Sequence, residues 1–193
     1  MFYAPPIPWP YYLLGFVVVF VIARVMINRG KPRMSLSEWL RLFIDPTYHL
    51  LLIGYSLMFF FPIVEFLIFR WKVPVVFTAF SVICYAGASA LGFLANKALG
   101  KQYTPFVDKA AAARPLITTG IYKHVRHPIY AAGFLICLAH PAWFGCRFSW
   151  LLLIIAWPAI LIRMWREERL LLKNMEGYRE YAERTKRIIP GVF

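Results

Sequence analysis

The sequence predicts an all-α integral membrane protein, a single membrane domain with about five transmembrane helices. Of its 193 residues, 61% are hydrophobic and 16% are charged, whereas a soluble domain is about 45–50% apolar and about 25% charged. Five apolar stretches follow one another along the chain, separated by polar and mostly basic connections. This composition excludes an ordinary water-soluble enzyme. It also excludes a disordered chain, which requires low hydrophobicity.

Three apolar stretches in the first half of the chain are long enough to cross a bilayer, for which a helix needs roughly 17–25 residues. They are residues 11–27, 49–69 and 75–95. The third has no charge and contains small residues such as Gly87, Ala88 and Gly92, which let helices approach closely in lipid. Glu65 in the second stretch lies about one helical turn before Arg70, and this spacing favours an interfacial or paired carboxylate.

The last two apolar stretches, 129–145 and 148–162, are separated by only two residues. So short a connection predicts that they run antiparallel as a tight helical hairpin. Pro141 interrupts the first of them and Pro158 the second. A fully spanning hairpin and a re-entrant hairpin both bring its two outer ends to the same side of the membrane.

The distribution of basic residues gives the orientation. The net charge is +13, and Lys and Arg accumulate in cytoplasmic loops. With alternating spans, all but three of the 22 Lys and Arg residues fall on one side, the exceptions being Arg70, Lys72 and Arg147. We therefore expect the N-terminus outside, with the loop 96–128 and the segment 163–193 in the cytoplasm. The basic charge is then a signal of topology, and no nucleic-acid partner is expected.

Two polar motifs meet at the predicted cytoplasmic surface. Arg126-His127-Pro128-Ile129-Tyr130 precedes and opens the fourth apolar stretch, and Arg163-Met164-Trp165-Arg166-Glu167-Glu168 follows the fifth. The hairpin places the motifs side by side, and Arg163 and Glu167 share a helix face because they are four residues apart. Glu167 can accept hydrogen bonds from a polar ligand, while Arg163 can hold an anion bidentately.

A metal site is the weaker interpretation of the same region. His124 and His127 are three residues apart and can share a helix face. Neither a cysteine nor a suitably placed carboxylate accompanies them, so no metal site is predicted.

Several motifs in the second half of the chain, taken together with their spacing, carry a family resemblance. To the two polar motifs the sequence adds Gly120-Ile121-Tyr122, Gly177-Tyr178-x-x-Tyr181 and Arg187-Ile188-Ile189-Pro190. Together they resemble the isoprenylcysteine carboxyl methyltransferase family, whose signature phospholipid methyltransferases largely share. The resemblance covers about 116–190. It implies a membrane-embedded enzyme that uses S-adenosylmethionine, bound beneath the last two spans and closed in by the C-terminal segment 163–193.

Position within these motifs implies which residues contact the cofactor. They are Leu116, Ile117, Tyr122, His127, Pro128, Ile129, Tyr130 and Glu167, with Arg114 and Pro115 as further contacts through their backbone. Relatives often have histidine where this chain has Arg114. The resemblance also implies that Arg163 faces the substrate, which makes Arg163 and Glu167 the expected catalytic pair.

The resemblance implies carboxyl O-methylation of an isoprenylcysteine-like acceptor, with the lipophilic acceptor entering from the bilayer and the cofactor from the cytosol. A carboxylate acceptor needs no general base, whereas an amine or thiol needs a proton acceptor, for which Glu168 and His124 are the candidates. The alternatives are a phospholipid amine N-methyltransferase, an NADPH-dependent sterol-type reductase and a non-catalytic membrane protein. The expected location is the cell membrane of a prokaryote or the endoplasmic reticulum of a eukaryote.

Overall fold

The computed structural model describes residues 9–29, 36, 40, 44–103 and 114–193. These residues form helices and their connections, with an isolated bridge between Val125 and Lys186 in place of any strand. The helices are α1 (Trp9–Asn28), α2 (Pro46–Phe69), α3 (Val75–Leu99), α4 (Pro128–Trp143), α5 (Leu153–Asn174) and α6 (Tyr178–Arg184). Short 3-10 turns occupy Gly100–Gln102, Gly120–Lys123 and Ser149–Leu152.

The chain is the all-α membrane protein that its composition predicts. Four of the described helices are long and apolar enough to cross a membrane: α1, α2, α3 and the continuous segment Ser149–Asn174 that contains α5. The remaining apolar helix, α4, is shorter at 16 residues.

Close packing around α3 and α5 holds the helices together. The third helix packs against α1 and α4, and α2 packs against α5. Gly92 of α3 meets Ile27 of α1 so closely that an added Cβ would lie 2.8 Å from Ile27 Cγ1. The small residues of the third apolar stretch therefore permit a close approach between helices, as membrane packing requires.

Glu65 is a buried cap and not the partner of Arg70. Its carboxylate accepts hydrogen bonds from the backbone N–H groups of Arg147, Phe148 and Ser149, at 2.7, 3.0 and 2.8 Å, and from the Ser149 hydroxyl at 2.6 Å. The N–H groups at the start of a helix have no partner within it, and Glu65 satisfies those that open the Ser149–Leu152 turn. Arg70 instead donates from Nε to the Leu67 carbonyl at 3.0 Å.

The connection between α4 and α5 is longer than the hydropathy pattern indicates. The fourth helix ends at Trp143, and residues 144–148 lead into the Ser149–Leu152 turn. The last helix continues beyond the apolar stretch 148–162 as far as Asn174. Arg163 and Glu167 consequently lie in the middle of a helix and not at the end of one. In this continuation, Arg163, Arg166 and Glu168 form ion pairs with residues of other segments.

Candidate functional site

A cavity of about 320 Å³ lies where the first half of α2, the end of α3, the start of α4 and the charged half of α5 converge. The segment 114–117 and the C-terminal residues around α6 complete its walls. The lining includes every residue that the sequence analysis assigned to cofactor or substrate: Arg114, Pro115, Leu116, Ile117, Tyr122, His127, Pro128, Ile129, Tyr130, Arg163 and Glu167. Residues far apart in sequence thus share one wall surface.

The first polar motif places its side chains by starting a helix. His127 is the N-cap residue of α4, and Pro128 occupies the first helical position, where a missing N–H costs nothing. Tyr130 therefore falls in the first turn and its hydroxyl donates to Glu167 Oε2 at 2.6 Å. The bond joins the two polar motifs directly across α4 and α5.

His127 contributes a neutral imidazole to the cavity wall. Burial lowers its pKa to about 4, against a smaller opposing effect of the nearby Glu168 carboxylate. Its Nε2 atom is buried and has no hydrogen-bond partner among the described residues. A buried polar atom without a partner costs free energy, so this atom is suited to a hydrogen bond from a bound molecule.

Arg163 is held at the cavity by the start of α2. Its Nη1 donates to Asp45 Oδ2 and to Thr47 Oγ1, both at 3.0 Å, and the guanidinium carbon lies 5.8 Å from the Tyr48 ring centroid. Arg166 Nη1 donates to the other Asp45 oxygen at 2.6 Å. Burial disfavours the Asp45 carboxylate, but hydrogen bonds from Thr47 and Arg163 outweigh it and lower the pKa to about 2. Asp45 is ionised throughout the physiological range.

Glu168 is committed to a different task from its neighbour Glu167. Its Oε1 accepts from Arg126 Nη2 at 2.6 Å, and its Oε2 accepts from Arg187 Nε at 2.6 Å. A carboxylate bound by two guanidinium groups is a weak proton acceptor. His124, the other residue considered as a base, is exposed. Neither candidate is therefore placed to remove a proton inside the cavity.

Hydrogen bonds from α6 and from the residues after it hold the C-terminal segment over the cavity. Gly177 is the N-cap residue of α6, and its left-handed conformation (φ 71°) redirects the chain after α5 has ended at Asn174. The Tyr181 hydroxyl donates to the Tyr122 carbonyl at 2.7 Å, and the Arg126 N–H donates to the Lys186 carbonyl at 2.8 Å. This segment closes one side of the cavity.

The segment 114–117 reaches the cavity through a contact with the end of α3. Arg114 Nη1 donates to the carbonyl of Gln102. The Arg114 side chain is thus bound to protein backbone, and Arg114 lines the cavity together with Pro115, Leu116 and Ile117.

Some lining residues carry no signal in the sequence motifs. Tyr48, Leu51 and Tyr55 of α2 line the cavity, and their spacing of three and four residues puts them on one helix face. That spacing is indistinguishable from a lipid-facing pattern in an apolar helix. Tyr103, Tyr178 and Tyr181 were also missed as lining residues, although the last two lie within a motif that the sequence analysis noted.

The chemistry of the walls fits a cationic and partly aromatic ligand. Ligand cavities commonly measure about 300–1,000 Å³, and this one lies near the lower limit. In the described part of the chain, seven tyrosines line it: Tyr48, Tyr55, Tyr103, Tyr122, Tyr130, Tyr178 and Tyr181. Tyrosine faces attract cations, and Glu167 adds a carboxylate. S-adenosylmethionine, with its sulfonium, amino and adenine groups, matches this set of surfaces.

The sequence matches the model of one known protein family. The family model of phospholipid methyltransferase matches residues 76–177, which is more than half of the chain. The matched range contains α4, α5, both polar motifs and all of α3 except its first residue. No curated protein matches the chain.

Proposed function

Because the chain belongs to the phospholipid methyltransferase family, it is a membrane methyltransferase, and we propose that it methylates the carboxylate of an isoprenylcysteine-like acceptor with S-adenosylmethionine. The observation that carries this proposal is the convergence of Arg163, Glu167 and Tyr130 on one cavity beside the bilayer-spanning helices. Family membership argues against the two alternative functions that do not involve methyl transfer, a sterol-type reductase and a non-catalytic membrane protein.

The cofactor is proposed to lie against the segment 114–117, the start of α4 and Glu167. S-adenosylmethionine supplies a methyl group bonded to a positively charged sulfur, which makes that methyl group electrophilic. Glu167, oriented by Tyr130, provides a carboxylate for the amino group or for the overall positive charge. Tyr122 and the apolar Leu116, Ile117, Pro128 and Ile129 line the space for the less polar part of the cofactor.

The acceptor is proposed to present its carboxylate to Arg163. The buried guanidinium orients one carboxylate oxygen toward the methyl group, and orientation of the reacting atoms supplies much of the rate in such displacements. Because the reaction consumes a positive and a negative charge, a cavity that excludes water favours it. A carboxylate needs no general base, which agrees with the involvement of Glu168 in two ion pairs.

N-methylation of a phospholipid amine is a second candidate, which the family's description favours. An amine must lose a proton during the reaction. Glu168 is bound by Arg126 and Arg187, and His124 is exposed. Neither of these two candidate bases is placed to take the proton, which favours the carboxylate acceptor. We place the site on the cytoplasmic side, in line with the distribution of Lys and Arg.

A labelled-methyl assay distinguishes the two acceptors. Purified protein is incubated with methyl-labelled S-adenosylmethionine and either N-acetyl-S-farnesylcysteine or phosphatidylethanolamine. We expect label in the farnesylcysteine, released as methanol by mild alkali because it is a methyl ester. Alkali-stable label in phosphatidylethanolamine alone would replace O-methylation by N-methylation, and absence of transfer to both would contradict the proposed acceptors.

A further inference from the structure

The N-terminal end of α2 carries an acidic residue that the proposed chemistry does not use. Asp45 lies 118 positions before Arg163 and bonds to it at 3.0 Å. We propose that Asp45 is a positioning residue, which together with Thr47 fixes the guanidinium of Arg163 for the anionic group of the acceptor. The inference rests on the proposed function and extends it to a helix outside both polar motifs.

The Asp45 carboxylate is itself rigidly anchored. It is the N-cap residue of α2, and its Oδ1 accepts from the Thr47 backbone N–H at 2.9 Å and from the Thr47 hydroxyl at 2.8 Å. Only Oδ2 remains for Arg163 Nη1. The position of the acidic oxygen that meets Arg163 is therefore set by the backbone of α2.

Thr47 provides a second fixed point on the same nitrogen. Its hydroxyl donates to Asp45 Oδ1 and accepts from Arg163 Nη1 at 3.0 Å. Two bonds on one nitrogen set the direction of a planar guanidinium, whose five N–H donors keep a fixed relative geometry. A long arginine side chain loses substantial rotamer entropy when it is fixed, and here the protein bears that loss before the acceptor arrives.

Burial separates the role of Arg163 from that of Arg166. The Arg163 side chain is 6% exposed and that of Asp45 is 15% exposed, whereas that of Arg166 is 42% exposed. Of the two arginines, Arg163 lines the cavity. The exposed pair between Arg166 and Asp45 contributes little to stability. A substitution of Arg166 therefore removes one charge partner of Asp45 while the bond between Asp45 and Arg163 stays, and it serves as the matched control.

The substitution Asp45→Asn separates positioning from capping. Asparagine is as good an N-cap residue as aspartate, so its side-chain oxygen can keep the bond to the Thr47 N–H. The amide nitrogen then replaces Oδ2, and a donor faces the Nη1 donor of Arg163. The helix start is retained while the bond to Arg163 is lost.

The experiment compares Asp45→Asn with the control Arg166→Gln. For Asp45→Asn we expect kcat/KM for N-acetyl-S-farnesylcysteine to fall about 10- to 100-fold, with an unchanged Kd for S-adenosylhomocysteine. The melting temperature should fall because the buried Arg163 loses its charge partner, so kinetics and binding are measured below the temperature at which the variant unfolds. For Arg166→Gln we expect kcat/KM and the Kd for S-adenosylhomocysteine to stay within about twofold of wild type. Its melting temperature should be close to that of wild type. Wild type should bind the farnesylcysteine carboxylate more tightly than its carboxamide, and Asp45→Asn should lose this preference.

Each other outcome has a definite meaning. Wild-type-like kinetics in Asp45→Asn would overturn the positioning role, and so would a loss of S-adenosylhomocysteine affinity as large in fold-change as the loss of acceptor kcat/KM. Absence of S-adenosylhomocysteine binding in wild type would instead overturn the proposed function. If Asp45→Asn does not fold, Thr47→Ala removes one of the two bonds on Nη1 and should lower acceptor kcat/KM in the same selective way. An unselective loss or no loss in that variant would contradict the inference.

Discussion

The hydroxyl of Tyr130 donates to Oε2 of Glu167 at 2.6 Å, between the two helices, α4 and α5, that contain these motif residues. Tyr130 is in the first turn of α4 and Glu167 is in the second half of α5. The bond therefore depends on both the helix start at Pro128 and the continuation of α5 beyond its apolar part. A carboxylate oriented in this way is preorganised to meet a positively charged ligand.

Removing either member of the proposed catalytic pair should abolish methyl transfer. Glu167→Ala deletes the carboxylate that is proposed to meet the cofactor, and Arg163→Ala deletes the guanidinium that is proposed to orient the acceptor. We expect both variants to remain folded in detergent while activity falls at least about 100-fold. Glu176→Ala, at an exposed position, is the control and should retain activity. Wild-type turnover in either the Glu167→Ala or the Arg163→Ala variant would contradict the assignment of the site.

Gly133 of α4 should be required for the shape of the cavity. A Cβ at this position would overlap the phenol oxygen of Tyr55, which lines the cavity. Gly133→Ala is therefore expected to displace Tyr55 and raise KM for the acceptor several-fold. The double variant Gly133→Ala/Tyr55→Phe should recover most of the loss because the obstructing oxygen is gone.

Gly87→Ala is the control for this effect, since its Cβ would lie 3.2 Å from Leu135 Cδ1, the end of a flexible side chain. It should leave the acceptor KM close to that of wild type. Failure of Tyr55→Phe to improve Gly133→Ala would show that the overlap with Tyr55 is not the cause.

Glu168→Gln should loosen the C-terminal segment without acting on the chemistry directly. It breaks two ion pairs, and it leaves Arg126, whose side chain is 7% exposed, without its carboxylate. Loss of one partner of a buried pair costs roughly 3–5 kcal/mol. We expect a lower melting temperature and faster hydrogen exchange over 178–193.

Arg187→Gln is the milder comparison because Arg187 is 37% exposed and Glu168 keeps its bonds to Arg126. Its effect on exchange should be smaller than that of Glu168→Gln. Unchanged exchange in both variants would refute the fastening role of Glu168.

Without bound cofactor, the protein should become less stable at acidic pH because His127 is buried as a neutral imidazole. Its pKa is about 4 in the folded protein because of burial, against an ordinary value of 6.5. Between these values the unfolded chain binds a proton that the folded protein does not, so stability falls as the pH drops from about 6.5 toward 4. We expect the melting temperature of wild type to fall relative to that of His127→Gln over this interval, with a constant difference above pH 7. A difference that is constant down to pH 4 would contradict the burial of a neutral imidazole.

The motifs predicted the polar half of the site because each is local. A proline directly before an apolar stretch favours a helix start, as Pro128 does for α4. The four-residue spacing from Arg163 to Glu167 puts both on one helix face. The resemblance to methyltransferases, confirmed by the family match, named residues that the structure places along one cavity. Their individual roles remain predictions.

The contributions of α2 and of the C-terminal ion pairs could not be predicted in the same way. Asp45 and Tyr48 stand in a connection and an apolar helix whose sequences do not indicate what they face. The pairing of Glu168 with Arg126 and Arg187 depends on how residues 178–193 fold back, which periodicity does not encode. The sequence favoured an interfacial or paired carboxylate at Glu65 without identifying its partners, which are backbone N–H groups 82 to 84 positions away.

The central claim is that the cavity around Glu167 binds S-adenosylmethionine for methyl transfer. Calorimetric titration of purified protein with S-adenosylhomocysteine, with NADPH as the comparison ligand, tests it most directly. We predict saturable binding of S-adenosylhomocysteine to wild type and no binding of NADPH. Glu167→Ala should bind S-adenosylhomocysteine at least tenfold more weakly, a loss of about 1.4 kcal/mol or more in binding free energy. Binding of NADPH, or equal binding of S-adenosylhomocysteine by wild type and Glu167→Ala, would contradict the account.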